Sequence, residues 1–175
     1  MVNIKKAIKR DPHSMIYASS PDRGLVYLLR EWPKILKAVP DAKLHIYYGF
    51  KVYDAIHRNN PARQLWKNQV LTMCKQNGII YHDRVGQDEL NEAYLSAGIF
   101  SYPTDFTEIS CINAMLAQAL GAIPVVTNYA ALEETVKNGL RVDVDIRTEE
   151  GQKEYFDALI GLLKDTRNKM KLEKQ

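Results

Sequence analysis

Short apolar runs alternate with amphipathic helical segments along the chain, and this alternation restricts the possible folds more than any other feature. The first run, Ser14–Ala18, lacks polar alternation, as expected of a strand covered on both faces. Apolar residues then recur every three or four positions over 25–39, which predicts a helix. Parallel strands need crossover connections of this kind. We therefore predict an α/β fold with a doubly wound, Rossmann-like parallel sheet.

The same alternation continues beyond the first helix. Further strands are predicted at 43–48, 78–81, 99–102, 123–127 and 140–144. Further helices are predicted at 61–77, 87–97, 109–120, 130–137 and 149–164. Residues 13–165 are then one domain, preceded by a linker or helix over 1–12 and followed by a basic tail over 166–175.

Composition excludes several classes of protein. No apolar run approaches the roughly 20 residues of a membrane span, and no signal-like segment follows Met1, so we expect a cytoplasmic protein. The net charge of +3 comes from the two ends, since residues 11–163 carry −4. We therefore expect no nucleic-acid partner and at most peripheral membrane contact. Cys74 and Cys111 are too few for a disulfide framework, the histidines are scattered, and no metal or cofactor is expected.

Four loops follow predicted strands, and ligands of such sheets bind beyond the carboxyl ends of the strands. These loops are 19–24, 49–51, 82–86 and 103–110. The last one leads into a helix that we expect to begin near Ile109, where free N–H groups and the helix dipole favour a phosphate.

Charged residues in these loops allow two interpretations each. Glu108 and Asp105 would repel a phosphate unless they reach past it to sugar hydroxyls, and the alternative is that they cap the helix. Arg23 stands beside Gly24 at the start of the first helix, where its guanidinium can meet a diphosphate or simply be solvated.

Several segments resemble the C-terminal domain of group-1 glycosyltransferases, which have the two-domain GT-B fold. Its opening is similar to Ser19–Gly24 followed by Leu28-Leu29 and Pro40–Gly49. The family pattern G-R-V-x-x-E-L-x-x-x-Y-x-x-A-D-V-F-V-x-P-S is matched by Arg84-Val85-Gly86-Gln87-Asp88-Glu89-Leu90, Tyr94, Ala97-Gly98-Ile99-Phe100 and Pro103-Thr104. The pattern E-x-x-x-x-x-x-x-E-A-x-A-x-G-x-P-V-V is matched by Glu108, Ala117, Ala119, Gly121 and Pro124-Val125-Val126.

This resemblance implies transfer of a sugar from a nucleoside-diphosphate donor to an acceptor hydroxyl, usually with retention and without a bound metal ion. It implies that Arg23 contacts the donor diphosphate and that Glu108 holds donor-sugar hydroxyls, and we assign these two as the catalytic residues. The remaining predicted donor-binding residues are Ser19, Ser20, Gly24, Gly49, Arg84, Val85, Thr104, Asp105, Ile109, Ser110, Cys111 and Ile112. Among them, the backbone of 109–112 would cradle the diphosphate, and the base would lie near Arg84 and Val85.

The resemblance also implies a partner. The acceptor, a glycan or lipid-linked glycan, would bind to a separate N-terminal domain that is missing from this chain, and the product would be a polysaccharide.

The sequence departs from the family pattern at three places. Leu116 stands where the family has a ribose-binding acid, so that this role is lost or has moved to Gln118 or Asn113. Ser19 or Ser20 stands where the family has a first-loop arginine, and the loop from Gly121 to Pro124 is one residue longer. Two alternatives therefore stay open: a degenerate domain kept as a scaffold or regulator, and a nucleotide-sugar epimerase. A dinucleotide-dependent dehydrogenase is disfavoured because no GxGxxG follows the first strand.

Overall fold

Six parallel strands form the centre of the molecule in the structure, a computed structural model that describes residues 8–165. The strands are β1 (Asp11–Tyr17), β2 (Lys43–Tyr47), β3 (Ile79–Asp83), β4 (Ala97–Tyr102), β5 (Ile123–Thr127) and β6 (Leu140–Val142). Their order across the sheet is β3-β2-β1-β4-β5-β6, and every pairing is parallel. This is the doubly wound arrangement predicted from the sequence, and its order reverses between β1 and β4.

Helices connect the strands. They are α1 (Leu25–Ala38), α2 (Lys51–His57), α3 (Pro61–Met73), α4 (Gln87–Ser96), α5 (Ile112–Ala119), α6 (Leu132–Thr135) and α7 (Glu149–Lys164). All residues of β4 and β5 are buried, which explains why these strands lack polar alternation. The apolar stripe of α1 is also buried, with Leu28, Trp32 and Ile35 fully inaccessible to solvent.

Besides the end of α3, which lies at Met73 instead of residue 77, three element predictions need correction. The first strand begins at Asp11 instead of Ser14, so Asp11 and Pro12 belong to the sheet and not to a preceding linker. Asp11 pairs with Ala97, and a register shift separates this pair from the next one. Gly98 makes the approach possible, because a Cβ there would lie 2.8 Å from the Pro12 backbone.

The second and third corrections concern helices. Helix α2 was not predicted, and α5 begins at Ile112 instead of Ile109. The backbone before α5 is held in an irregular turn, in which the N–H of Glu108 donates to the carbonyl of Phe106 and the Glu108 carbonyl accepts from Ala131. Residues 1–7 and the predicted tail 166–175 lie outside the described residues.

Candidate functional site

The first turn of α1 and the loop after β4 meet where the strand order reverses. Gly24, at the N-cap of α1, has φ of 111°. A Cβ on this residue would lie 1.9 Å from the carbonyl oxygen of Pro103, so only glycine allows the two segments to approach so closely. The contact places Arg23 next to the loop that carries Glu108.

Arg23 and Glu108, the two residues predicted to be catalytic, form an ion pair. Arg23 Nη1 lies 3.3 Å from Glu108 Oε1. The guanidinium also lies over the ring of Phe106, with Cζ 3.9 Å from the ring centroid. The Arg23 side chain is 36% exposed whereas that of Glu108 is 8% exposed. Arg23 is therefore reachable from solvent. Glu108 is buried in the crevice, the name used here for the space between the loop after β1 (18–24) and the loop after β4 (103–111).

A buried tyrosine contacts the same carboxylate oxygen. The hydroxyl of Tyr102, the last residue of β4, donates to Glu108 Oε1 at 2.5 Å. The Ser19 hydroxyl donates to Tyr102 Oη at 3.3 Å. Burial and the carboxylate neighbour raise the pKa of Tyr102 well above its usual range, so the hydroxyl stays protonated and donates. The Ser19 hydroxyl is thus buried and bonds inside the domain.

The two oxygens of the Glu108 carboxylate have different surroundings. Both contacts of the carboxylate are made by Oε1, while Oε2 has no hydrogen-bond partner among residues 8–165 and remains accessible to solvent. Oε2 is therefore the atom of this site that can accept a hydrogen bond from an arriving hydroxyl.

The amino end of α5 lies beside this crevice but is built from different residues than predicted. Cys111 is the buried N-cap, and the backbone N–H groups of Ile112 and Asn113 have no backbone acceptor among the described residues. Ile109 and Ser110 are exposed and precede the helix, Ile109 being 95% exposed. The helix-start N–H groups without a backbone acceptor among the described residues are therefore those of 112–113, whereas the prediction placed them at 109–112.

The other predicted residues of these two loops serve mainly as supports. Thr104 is buried, and its backbone N–H and carbonyl both bond to the Thr127 hydroxyl. Asp105 is exposed and accepts from the Tyr27 hydroxyl at 3.3 Å. The Ser20 hydroxyl donates to Asp22 at 2.5 Å. These contacts fix the shapes of the two loops.

The residues predicted to surround the base lie further along the same sheet edge. Gly49 has φ of 74°, and a Cβ there would lie 1.6 Å from Asp83 Oδ1. This glycine brings the loop after β2 against the end of β3, where Arg84 is exposed and Val85 is half-buried. A cavity of about 450 Å³ adjoins them, lined in part by Phe50, Lys51 and Asp83.

Leu116 and the two residues considered as its replacement occupy different surroundings. Leu116 is half-buried against the core. The Gln118 amide bonds to the carbonyls of Ala114 and Thr135 and to the N–H groups of Lys137 and Asn138, on the side of α5 that faces α6. Asn113 Nδ2 donates to the carbonyl of Ala18 at 2.6 Å, directly after β1. Only Asn113 therefore lies in the crevice.

Sequence analysis missed Tyr102 as part of the site. It could be identified only as the apolar end of a buried strand, because nothing in the sequence shows that its hydroxyl meets Glu108. Among residues 8–165, no group of three or more His, Cys, Asp or Glu side chains is placed to hold a metal ion. No helix in this part of the chain is long and apolar enough to cross a membrane.

The fold and the site define an α/β domain whose ligand crevice lies at a topological switch point. The chain belongs to the group 1 glycosyltransferases, since the family model "Glycosyl transferases group 1" matches residues 14–165. No curated protein matches the sequence.

Solved structures of glycosyltransferases share the fold. The GtfA/B complex superposes with a TM-score of 0.70 at 17% identity, covering 95% of this chain and 32% of the other. The pneumococcal O-GlcNAc transferase GtfA, in complex with UDP and GlcNAc, gives 0.65 at 15% identity, covering 94% and 31%. The catalytic domain of starch synthase IV from Arabidopsis thaliana, bound to ADP and acarbose, gives 0.64 at 16% identity, covering 99% and 36%. The chain spans about a third of the length of these proteins.

Proposed function

We propose that this domain binds a nucleoside-diphosphate sugar in the crevice between β1 and β4, for transfer to an acceptor hydroxyl with retention of configuration. The observation that carries the proposal is the meeting of Arg23 and Glu108 at the point where the strand order reverses. A cation and a buried carboxylate with one open oxygen suit the two ends of such a donor, its diphosphate and its sugar.

The proposed reaction breaks the bond between the anomeric carbon and the diphosphate and forms a bond to the acceptor oxygen. The acceptor proton leaves with the diphosphate. Arg23 and the N–H groups of Ile112 and Asn113 stabilise the negative charge that develops on the leaving group. Glu108 Oε2 accepts from a hydroxyl of the sugar and orients it. The proposal assigns the charge stabilisation to these groups and uses no metal ion.

Asn113 is the proposed ribose-binding residue. Its Nδ2 is engaged by Ala18, and its amide oxygen is left to accept from a ribose hydroxyl. The base lies toward Gly49, Arg84 and Val85 in this proposal. The acceptor, a glycan or lipid-linked glycan, binds to the part of the enzyme that this chain does not include. The cytoplasmic location and a role in polysaccharide synthesis also stay predictions.

Calorimetric titration of this chain tests the proposal, using UDP, ADP and GDP and their glucose conjugates. Arg23→Ala should weaken nucleotide and conjugate alike, by about 1.5–3 kcal/mol, because both carry the diphosphate. Glu108→Gln should weaken only the conjugate. The matched controls are Arg30→Ala and Glu89→Gln, since both residues are exposed and neither is part of the crevice.

One observation favours a second candidate. The apolar Leu116 stands in place of the family's second acid, as expected of a domain that has lost its donor and serves as a scaffold. Absence of binding by any of the six ligands at millimolar concentration would contradict the donor-site proposal and favour the scaffold.

A further inference from the structure

Two side chains contact the buried carboxylate of Glu108 from opposite sides, and they differ in how freely they can move. Arg23 approaches it from the surface with a side chain that is 36% exposed. Tyr102 approaches it from the interior, is fully buried, and its ring packs against Tyr17 and Phe100 with centroids 5.9 and 5.8 Å away. Arg23 can leave the carboxylate by rotating toward solvent. Tyr102 cannot leave it without disturbing the core.

This difference matters when a diphosphate arrives. A guanidinium that turns to a diphosphate gives up its 3.3 Å bond to Glu108 Oε1. Among residues 8–165, the 2.5 Å bond from Tyr102 then remains as the only side-chain bond to that oxygen, and Ser19 fixes the Tyr102 hydroxyl in turn. A buried hydrogen bond to a charged group is among the stronger single contacts in a protein.

We propose that Tyr102 is a positioning residue, which keeps Oε2 of Glu108 directed at the donor sugar after Arg23 has moved to the diphosphate. The inference rests on the proposed function and deepens it, since it assigns sugar recognition to the buried pair of Tyr102 and Glu108 and diphosphate recognition to Arg23. A merely structural tyrosine would not distinguish between a nucleotide and its sugar conjugate.

The test compares the affinities of UDP and UDP-glucose, or of ADP and ADP-glucose if ADP is the nucleotide bound, in Tyr102→Phe. The affinity for the conjugate should fall roughly tenfold, because one hydrogen bond to a charged group is lost, while that for the nucleotide should not change. The double variant with Glu108→Gln should lose no more than Glu108→Gln alone. The matched control is Tyr94→Phe, since Tyr94 is fully buried and its hydroxyl has no hydrogen-bond partner in the described part of the chain.

Unchanged affinities in Tyr102→Phe, or equal losses for nucleotide and conjugate, would overturn the inference. If Tyr102→Phe fails to fold, Ser19→Ala should show the same selective loss at roughly threefold, since it frees the Tyr102 hydroxyl. Should Glu108→Gln reduce conjugate binding while the tyrosine and serine variants do not, only the positioning role fails. If Glu108→Gln has no effect, or no ligand binds, both the proposed function and the positioning role of Tyr102 are contradicted.

Discussion

At the scale of single residues, the geometry of the site depends on the close approach of two backbone segments as much as on charged groups. Gly24 allows α1 to begin against the carbonyl of Pro103, and this contact brings Arg23 within 3.3 Å of Glu108. A φ of 111° is a conformation that residues with a Cβ rarely adopt. The charge pair is thus a consequence of a glycine that takes no direct part in the chemistry.

Gly24→Ala should destabilise the domain by at least about 2 kcal/mol, because the new Cβ combines backbone strain with a clash against Pro103. Gly161→Ala is the matched control. Gly161 lies in α7 with open space around its Cα, so alanine should stabilise the helix by about 0.5–1 kcal/mol. Urea unfolding measures both changes. Equal effects of the two substitutions would contradict the close contact at Gly24.

At the scale of elements, the hydrophobic pattern predicted all six strands and six of the seven helices, since buried runs and apolar stripes are local signals. The hydrophobic pattern failed where contacts between distant parts of the chain determine whether a helix forms or where it begins. Helix α5 begins three residues later than predicted because the side chain of Glu108 turns inward to Tyr102 and its backbone bonds to Phe106 and Ala131. Helix α2 is seven residues long with only Tyr53 buried, too little for a recognisable stripe.

The site was predictable to a similar extent. The positions of Arg23 and Glu108 at the carboxyl edge follow from the order of the elements, and the structure brings these two together. Ser19 was predicted to face a ligand but bonds to Tyr102 inside the domain, because side-chain direction at a strand end depends on neighbouring strands. The partnership of Tyr102 with Glu108 depends on the loop path between them and has no sequence signal.

Removing either of two polar side chains of α5 should have different effects, one on nucleotide binding and the other on stability. Asn113→Ala should weaken nucleotide binding roughly fivefold to tenfold, because Asn113 lies at the crevice and one hydrogen bond is lost. Gln118→Ala should leave binding unchanged and lower the free energy of unfolding by about 1–2 kcal/mol, since Gln118 ties α5 to the segment after α6. Calorimetry and urea unfolding measure the two effects. A loss of nucleotide affinity in Gln118→Ala would show that ribose recognition was assigned to the wrong residue.

At the scale of the whole molecule, burial in the core keeps two cysteine thiols in their neutral form. Burial raises the pKa of the Cys74 thiol and that of the Cys111 thiol to about 11, from an ordinary value of 9.0. Both thiols are protonated in the folded and the unfolded chain below about pH 7.5. Above pH 9 the unfolded chain releases these protons while the folded chain retains them.

Stability should therefore fall as the pH rises from 9 toward 11, by up to roughly 1.4 kcal/mol per pH unit for each thiol. The double variant Cys74→Ala, Cys111→Ala keeps every tyrosine, so a comparison with the unsubstituted chain isolates the thiols. Urea unfolding at pH 8, 9 and 10 should give a shallower decline for the variant. Identical declines would mean that the thiols titrate normally in the folded state.

The central claim is that the diphosphate of a nucleotide binds at the crevice between β1 and β4. Two-dimensional NMR of the ¹⁵N-labelled chain, titrated in turn with UDP, ADP and GDP, locates the bound diphosphate. The largest shifts of backbone amide signals should fall on Gly24, Ile112 and Asn113. Largest shifts along the cavity lined by Asn68, Leu71 and Thr72, or no shifts with any of the three nucleotides, would contradict this binding site.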